Sequence, residues 1–367
     1  MTGLTLETPL GPSQIRWWEG GPGAAGAAIA ERFGGGPVAV VTTPVVWPLW
    51  GAPFAAGLAA AGLSAQVFFV PDGEAAKTAE VWAALGEALL GAGVRRDRPV
   101  IAFGGGALGD LVGFAAATVQ RGLPFVFVPT TLLAMVDASV GGKTAINTAH
   151  GKNLLGAFHP AAQVLMPLDC LGTLPATERA SGLGEVLKHA MLADAALLDR
   201  LQAAGAGFAA GDRGCLAEAV SASVRVKAAV VAGDLRDDGP RRILNFGHTV
   251  GHAIEAALGP GAAPHGLCVL WGMRAETRFL VGIGAAPAHA GHTLDAAARA
   301  LGLPLQPPLL GRDALRAAAG YDKKLIRGTI ALAVPGLPGT AALRSFPAEV
   351  LDRLFDSLDS LLEETCA

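Results

Sequence analysis

The sequence predicts an α/β, Rossmann-like parallel-sheet domain followed by a mainly α-helical domain, and three observations carry this. Short, continuously apolar runs alternate with Ala-rich helical runs through the first half, the pattern of strands covered by helices on both faces. A glycine-rich turn, Gly104–Gly105–Gly106, follows one of these runs and opens a helix. From about Pro175 onward the texture becomes helical, with apolar residues recurring every three or four positions. The expected domains are 1–175 and 176–367, with an active site in the cleft between them.

The strand candidates are "PVAVVTT" (37–43), "AQVFFVP" (65–71), "RPVIAFGGG" (98–106), "PFVFVPT" (124–130) and "AQVLMPLD" (162–169). "WGAPFAAGLAAAGL" and "KTAEVWAALGEALLGAG" read as helices between them. Sheets of this kind bind ligands at the carboxyl ends of their strands. In the second half, "TERASGLGEVLKHAMLADAALLDRLQAAG", "GCLAEAVSASVRVKAAVVAGD" and "GHTVGHAIEAALG" carry helical periodicity. After Pro304 a loop is expected, then a strand pair around "GTIALAVPG" and a closing amphipathic helix, "PAEVLDRLFDSLDSLLEE".

Bulk properties narrow the function classes. The 367 residues suffice for about two domains, and the formal charge of -3 comes from interspersed acids and bases. No basic stripe invites nucleic acid. Cys170, Cys215, Cys268 and Cys366 share no CxxC spacing, so a reducing, cytoplasmic setting is expected rather than a disulfide framework. "MTGLTLETPLG" lacks the n- and h-regions of a signal peptide. The uncharged stretch after Phe33 is broken by Pro37, Pro44, Pro48 and Pro53; no membrane span of about 20 residues is expected there.

The chemistry-bearing motifs come next. The turn fits GxGxxG as Gly104, Gly106 and Gly109; by itself it is a weak sign of a phosphate at a helix start, and a tight turn without ligand would look alike. "VPTTLLAMVDASVGGKTAINTAHGKNLLGAFHP" presents Lys143 and Lys152 beside glycines, with Asp137 and Asn153 nearby. It is not a GxxxxGK[ST] loop; glycine-presented lysines in loops suit an anionic substrate. In "RRILNFGHTVGHAIEA" (241–256), Arg241, Asn245, His248 and His252 recur at helical intervals, which predicts one polar face of one helix. Upstream, "GLGEVLKHAM" offers Glu185, Lys188 and His189; downstream, "APHGLCVLWGM" offers His265 at a helix start. Glu185, His248 and His265 form a candidate set of three metal donors with one coordination position left open. Spacing leaves His252 and His265 as alternatives for the third donor. A second "GHT" at Gly291–Thr293 lacks the surrounding polar residues and reads as an exposed helix turn.

Together these strings resemble the 3-dehydroquinate synthase family of sugar-phosphate cyclases, from about "PDGEAAKT" to "DKKLIRGTIALAVP". The ordered strings "GGGALGDLVGFAAATVQRGLPFVFVPTTLLAMVDASVGGKTAIN", "GKNLLGAF" and "ILNFGHTVGHAIE" carry it. The resemblance implies a lyase of the shikimate pathway, leading to chorismate and the aromatic amino acids. It would convert 3-deoxy-D-arabino-heptulosonate 7-phosphate to 3-dehydroquinate and phosphate. NAD would meet Glu74, Lys77, Gly105, Gly106, Asp110, Thr130, Thr131, Lys143, Lys152, Thr173 and Leu174. Zinc or cobalt would sit on Glu185, His248 and His265, leaving His252 for substrate. Asp137, Lys143, Lys188, Lys227, Arg241, Asn245 and His252 would carry catalysis. Lys152, Asn153, Lys323 or Lys324, and Arg121 of this or a neighbouring subunit would hold the phosphate. A homodimer is implied.

Three positions depart from the family pattern: Thr43 where an acid commonly lies near the adenosine ribose, Leu267 in "HGLCV" for "HGEAV", and Leu235 for an acid after Asp234. Rival readings are another sugar-phosphate cyclase, a metal-dependent polyol dehydrogenase on the same fold, and a nucleotide-binding regulator with a decayed site. The retained Arg241, Asn245, His252 and "DKK" lysines favour the dehydroquinate type.

Overall fold

The computed structural model describes residues 1–259, 261–319 and 328–363. The chain divides into two compact units, Met1–Pro175 and Ala176–Ala367. The first contains β1 (Thr2–Leu6), β2 (Ser13–Trp18), α1 (Ala25–Phe33), β3 (Gly36–Thr42), α2 (Val46–Ala60), β4 (Leu63–Phe69) and α3 (Ala79–Gly91). It continues through β5 (Val100–Gly104), α4 (Gly106–Thr118), β6 (Phe125–Pro129), β7 (Lys143–Thr148), β8 (Gly151–Phe158) and β9 (Gln163–Pro167).

Seven strands form one sheet in the order β1-β2-β9-β6-β5-β3-β4. Every neighbouring pair is parallel except the β1–β2 hairpin at one edge. All five strands expected from the sequence are present. β5, β6 and β9 are buried at every residue, which is why they read as unbroken apolar runs. Phe54 of α2 packs on Phe103 of β5, ring centroids 4.3 Å apart, in the core of one face. On α4, a Cβ at Gly109 would fall 2.3 Å from the Phe127 ring. The third glycine of the GxGxxG match thus serves close helix–strand packing.

Two elements of the first unit differ from expectation. The chain's opening forms the β1–β2 hairpin, with Ser13, Ile15 and Trp17 turned inward and β2 paired to β9. The segment bearing Lys143 and Lys152 is a second hairpin, β7–β8, rather than a pair of loops. Its strand β8 is exposed along 153–156, so no apolar alternation marks it in the sequence.

The second unit contains α5 (Ala176–Ala193), α6 (Ala195–Ala210), α7 (Arg213–Gly233), α8 (His248–Leu258), α9 (His265–Gly282), α10 (His289–Ala300) and α11 (Arg312–Ala319). The hairpin β10 (Thr329–Pro335) and β11 (Ala341–Pro347) and helix α12 (Val350–Glu363) follow, as the pattern after Pro304 suggested, although α11 lies where only a loop was expected. The Asp194 and Asp212 side chains cap α6 and α7 by accepting from Leu197 N and Cys215 N. His292 of the second "GHT" is exposed on α10.

The stretch 241–256 is not one helix. Pro240–Asn245 forms a 3-10 turn, Phe246 is extended, and Gly247 takes a left-handed φ of 77° before α8 begins. Arg241 and Asn245 therefore belong to a separate segment from the two histidines. A counted interval of three or four does not register such a break.

α9 is buried without interruption from Gly266 to Thr277, the signature of a central helix. Its neighbours approach it backbone to backbone. A Cβ at Gly266 would lie 1.8 Å from the Ser181 carbonyl oxygen, and one at Gly184 would lie 2.2 Å from the Gly266 oxygen. On the other side, a Cβ at Gly272 would lie 1.9 Å from the Gly247 oxygen. Gly266→Ala must push α5 and α9 apart, at an expected cost of about 3 kcal/mol. Urea unfolding should show that loss. Gly291→Ala, on α10 with open space around the added methyl, should be neutral or stabilise by about 0.5–1 kcal/mol.

Candidate active site

In the first unit, polar side chains gather beyond the carboxyl ends of the strands. β5 ends at Gly104, and α4 starts at Gly106 with Gly105 at its N-cap and no capping side chain. Its first-turn amides point toward the favoured place for an anion. Thr130 N bonds the Gly104 carbonyl (2.9 Å), tying the end of β6 to this turn. The Thr131 hydroxyl accepts from Ala134 N at 3.2 Å. It thereby starts a short helix that passes into a π-turn, Ala134–Ala138, which carries half-buried Asp137. Such turns cluster at functional sites, and no sequence signal announced this one.

Lys77, only 3% exposed, ion-pairs with Asp110 on α4 and donates to the Asn153 side-chain carbonyl. Burial raises the Asp110 carboxyl, with Glu74 and Asp137 adding repulsion, while Lys77 pulls it back down. Asn147 binds the cluster together: its Nδ2 donates to Glu74 (2.7 Å), its Oδ1 accepts from Asn153 N (3.1 Å), and its amide donates to the Lys77 carbonyl (2.8 Å). Lys152 Nζ stands 4.0 Å from the same Glu74 carboxylate. Five sequence-predicted residues, Glu74, Lys77, Asp110, Lys152 and Asn153, thus meet in one network. Asn147 was missed, although it lies in the quoted string.

Other predicted residues of this unit are placed differently. Lys143 is exposed at the start of β7, after the glycine turn Gly141–Gly142. Thr173 donates to the Cys170 carbonyl and accepts from Trp50 Nε1 (2.9 Å), and Leu174 follows it. Arg121 precedes β6, at the amino edge of the sheet, with a left-handed φ of 64°. The glycine turn lies at the opposite edge, so the chain's own fold does not bring Arg121 to this network. Thr43 is 1% exposed, and its hydroxyl accepts from Val46 N.

In the second unit, three helices deliver donors to one point. Glu185 of α5 is fully buried; its Oε1 lies 3.7 Å from His248 Nε2 and 3.6 Å from His265 Nε2. These separations are long for hydrogen bonds. They approach the ligand–ligand edge of about 3.3–3.4 Å expected around a tetrahedral ion bound at about 2.0–2.1 Å. Both imidazoles are oriented from behind: His248 donates Nδ1–H to the Phe246 carbonyl (3.1 Å), and His265 donates Nδ1–H to Glu255 (3.0 Å). That leaves each Nε2 as the donor atom toward Glu185, the carboxylate–imidazole arrangement of metal sites. Burial alone would lower His265, but the two carboxylates facing it, Glu185 and the hydrogen-bonded Glu255, outweigh it and carry it up to about 10. The site draws positive charge, as a divalent ion would supply. This donor set fits zinc or cobalt.

His252, one turn along α8 and exposed, brings a third ring: ligand atoms of His248, His252 and His265 lie within 4.8 Å of one another. Lys188 is 1% exposed and paired to Glu185; Lys227 on α7 is also buried. Arg241 is held through Nη1 to the Leu235 carbonyl (2.6 Å), in a loop organised by Asp234, which accepts from the amides of Asp238, Gly239 and Arg241. Asn245 is half-buried at the end of that 3-10 turn. Lys323 and Lys324 lie outside the described residues. Glu255 was missed as a supporting acid, yet its place at i+3 from His252 and i+7 from His248 puts it on their helix face. It supplies an acid behind the donor histidine where Leu267 does not.

Among the described residues no helix is long and apolar enough to cross a membrane. Residues 67–181 match the 3-dehydroquinate synthase N-terminal family and residues 182–325 its C-terminal counterpart. A 3-dehydroquinate synthase from Caulobacter vibrioides (strain NA1000 / CB15N) is 42% identical over 343 residues, covering 91% of this chain and 92% of the relative. Among solved structures, 2-epi-5-epi-valiolone synthase from Streptomyces hygroscopicus subsp. jinggangensis 5008, with NAD+ and Zn2+ bound, superposes with TM-score 0.86 at 29% identity, covering 95% of this chain and 96% of that one. A 2-deoxy-scyllo-inosose synthase complexed with carbaglucose-6-phosphate, NAD+ and Co2+ has the same fold, with TM-score 0.85 at 20% identity over 96% and 99% of the two chains. The chain belongs to the 3-dehydroquinate synthase family.

Proposed function

We propose that this chain converts 3-deoxy-D-arabino-heptulosonate 7-phosphate to 3-dehydroquinate and inorganic phosphate, as a phosphate-eliminating lyase dependent on NAD and a divalent metal. The reaction runs through transient oxidation at C5, loss of phosphate, re-reduction, ring opening and an intramolecular aldol closure. The observation that carries the metal-dependent part is the convergence of His248 and His265 Nε2 on one Glu185 oxygen.

Within this reading, Glu185, His248 and His265 hold zinc or cobalt, and Glu255 and the Phe246 carbonyl keep each imidazole in the tautomer that can bind it. When bound, NAD takes and returns the hydride while the metal polarises substrate hydroxyls. The first unit holds the nucleotide through Gly105, Gly106, Asp110, Glu74, Lys77, Lys143, Lys152, Thr130, Thr131, Thr173 and Leu174. Thr43 spends its hydroxyl on Val46 N and offers no carboxylate to a ribose. Asp137, Lys143, Lys188, Lys227, Arg241, Asn245 and His252 meet the substrate. Lys152 and Asn153, with Lys323 or Lys324, fix its phosphate so that the leaving group sits in reactive geometry. Arg121, at the far edge of the sheet, is assigned to the site of a neighbouring copy in a homodimer. The small substrate, not a nucleic acid or a membrane, is the partner.

Incubation with the heptulosonate phosphate, NAD and zinc is expected to release phosphate stoichiometrically without accumulating NADH. Net NADH formation would favour a polyol dehydrogenase instead. His248→Ala is expected to lose activity and metal together, dropping from about one equivalent per chain to a small fraction; a variant that keeps its zinc would refute the three-donor site. Lys152→Ala should raise KM for the phosphorylated substrate by about 10-fold or more, and unchanged KM and kcat would remove it from the phosphate site.

A further inference from the structure

Glu276 lies on α9 with none of its surface exposed. Its carboxylate reaches across to the start of α8. Oε2 accepts from Gly247 N at 2.9 Å, and Oε1 accepts from Thr249 N at 3.1 Å and more distantly from Val250 N at 3.5 Å. The first-turn amides of a helix need outside acceptors, ordinarily the side chain of the N-cap residue. Here the N-cap is Gly247, which has no side chain and provides no such bond. We propose that Glu276 is a positioning residue for the reaction: it caps α8 from the neighbouring helix and so holds His248 and His252 in place.

Two further features support this. Gly247 and Gly272 are in backbone contact, and a Cβ at Gly251 would lie 2.8 Å from the Cys268 oxygen, so glycines set how close α8 lies to α9. Such contacts do little to stop the helix rotating or sliding; two directed hydrogen bonds, to its N-cap and its first turn, do. His248 is also the first residue of α8, and its Nδ1 bonds the Phe246 carbonyl just before the cap. Fraying of this turn would displace the imidazole and the carbonyl that sets its tautomer together. The chemistry calls for a carboxylate. Both oxygens accept, whereas a glutamine would turn its NH2 against an N–H donor. A negative charge also suits a helix N-terminus.

The inference rests on reading Glu185, His248 and His265 as metal donors, so its test separates the two. Metal-stripped Glu276→Gln is expected to bind Co2+ about 10- to 100-fold more weakly than the parent, with an altered d–d spectrum. Arg274→Ala, a change on the same helix as Glu276, breaks the ion pair of Arg274 with Asp295 of α10; it should lower Tm yet keep the parental cobalt affinity and spectrum. Parental cobalt binding by Glu276→Gln, or an equal loss in Arg274→Ala, overturns the proposal. Should Glu276→Gln fail to fold, amide hydrogen exchange in the parent decides. Slow exchange at Gly247 and Thr249 supports the cap, and exchange at the rate of an uncapped first turn overturns it. A parent with those amides protected but no affinity for cobalt would sink the metal reading and leave the cap standing.

Discussion

The backbone contact of α9 with α5 and α8 is the constraint on which the second unit's chemistry depends. Packed helices ordinarily keep their axes 8–10 Å apart because side chains separate them. Two imidazoles on two helices nevertheless come within 3.7 Å of a carboxylate on a third. The residues that remove the obstacle are the neighbours of the donors themselves: Gly184 beside Glu185, Gly266 beside His265, and Gly247 beside His248. Each glycine lets one backbone touch another where its adjacent side chain has to converge. The weak helix propensity of glycine is accepted here in exchange for that geometry.

The first unit solves a different problem, that of keeping charge at a buried surface. Lys77 is almost fully enclosed, and an ammonium there is tolerable only with acceptors close by. Asp110 supplies the countercharge and Asn153 a neutral oxygen. Burial and the nearby acids push Asp110 toward its neutral form, and Lys77 opposes them. Asn147 then joins α3's approach, the β7–β8 hairpin and Glu74 with three hydrogen bonds. The network leaves the glycine turn uncapped, so its amides remain available to an incoming anion.

What the sequence revealed, and what it hid, follows from which forces leave a periodic trace. The five central strands were legible because burial on both faces demands apolar residues without interruption. β8 was not, because its middle faces outward and Gly151, Asn153 and Gly156 blur any alternation. The segment before α8 misled because the 3-10 turn, the break at Gly247 and the helix together preserve helical spacing in number though not in space. Glu185 and His248 could be proposed as donors from residue type and order, with His252 and His265 as alternatives for the third, a choice that only the family resemblance made. The roles of Glu276 and Asp234 depend on contacts between distant segments or on loop geometry, for which a single sequence carries no period.

The departures from the family pattern show where function resides at this level. Leu235 lacks an acid, but Arg241 is held by the Leu235 backbone carbonyl, which any residue there would offer. Leu267 lacks one too, and Glu255 stands behind His265 from the adjacent helix. In both cases an oxygen acceptor meets the N–H group although positions 235 and 267 carry no acid. An imidazole needs an acceptor at Nδ1, and a guanidinium needs one along its N–H; neither requirement specifies which chain segment provides it. Such a site tolerates substitution around its rim so long as the backbone scaffold stays fixed. That places the strictest demand on the glycines of α9 and its neighbours, residues with no chemistry of their own.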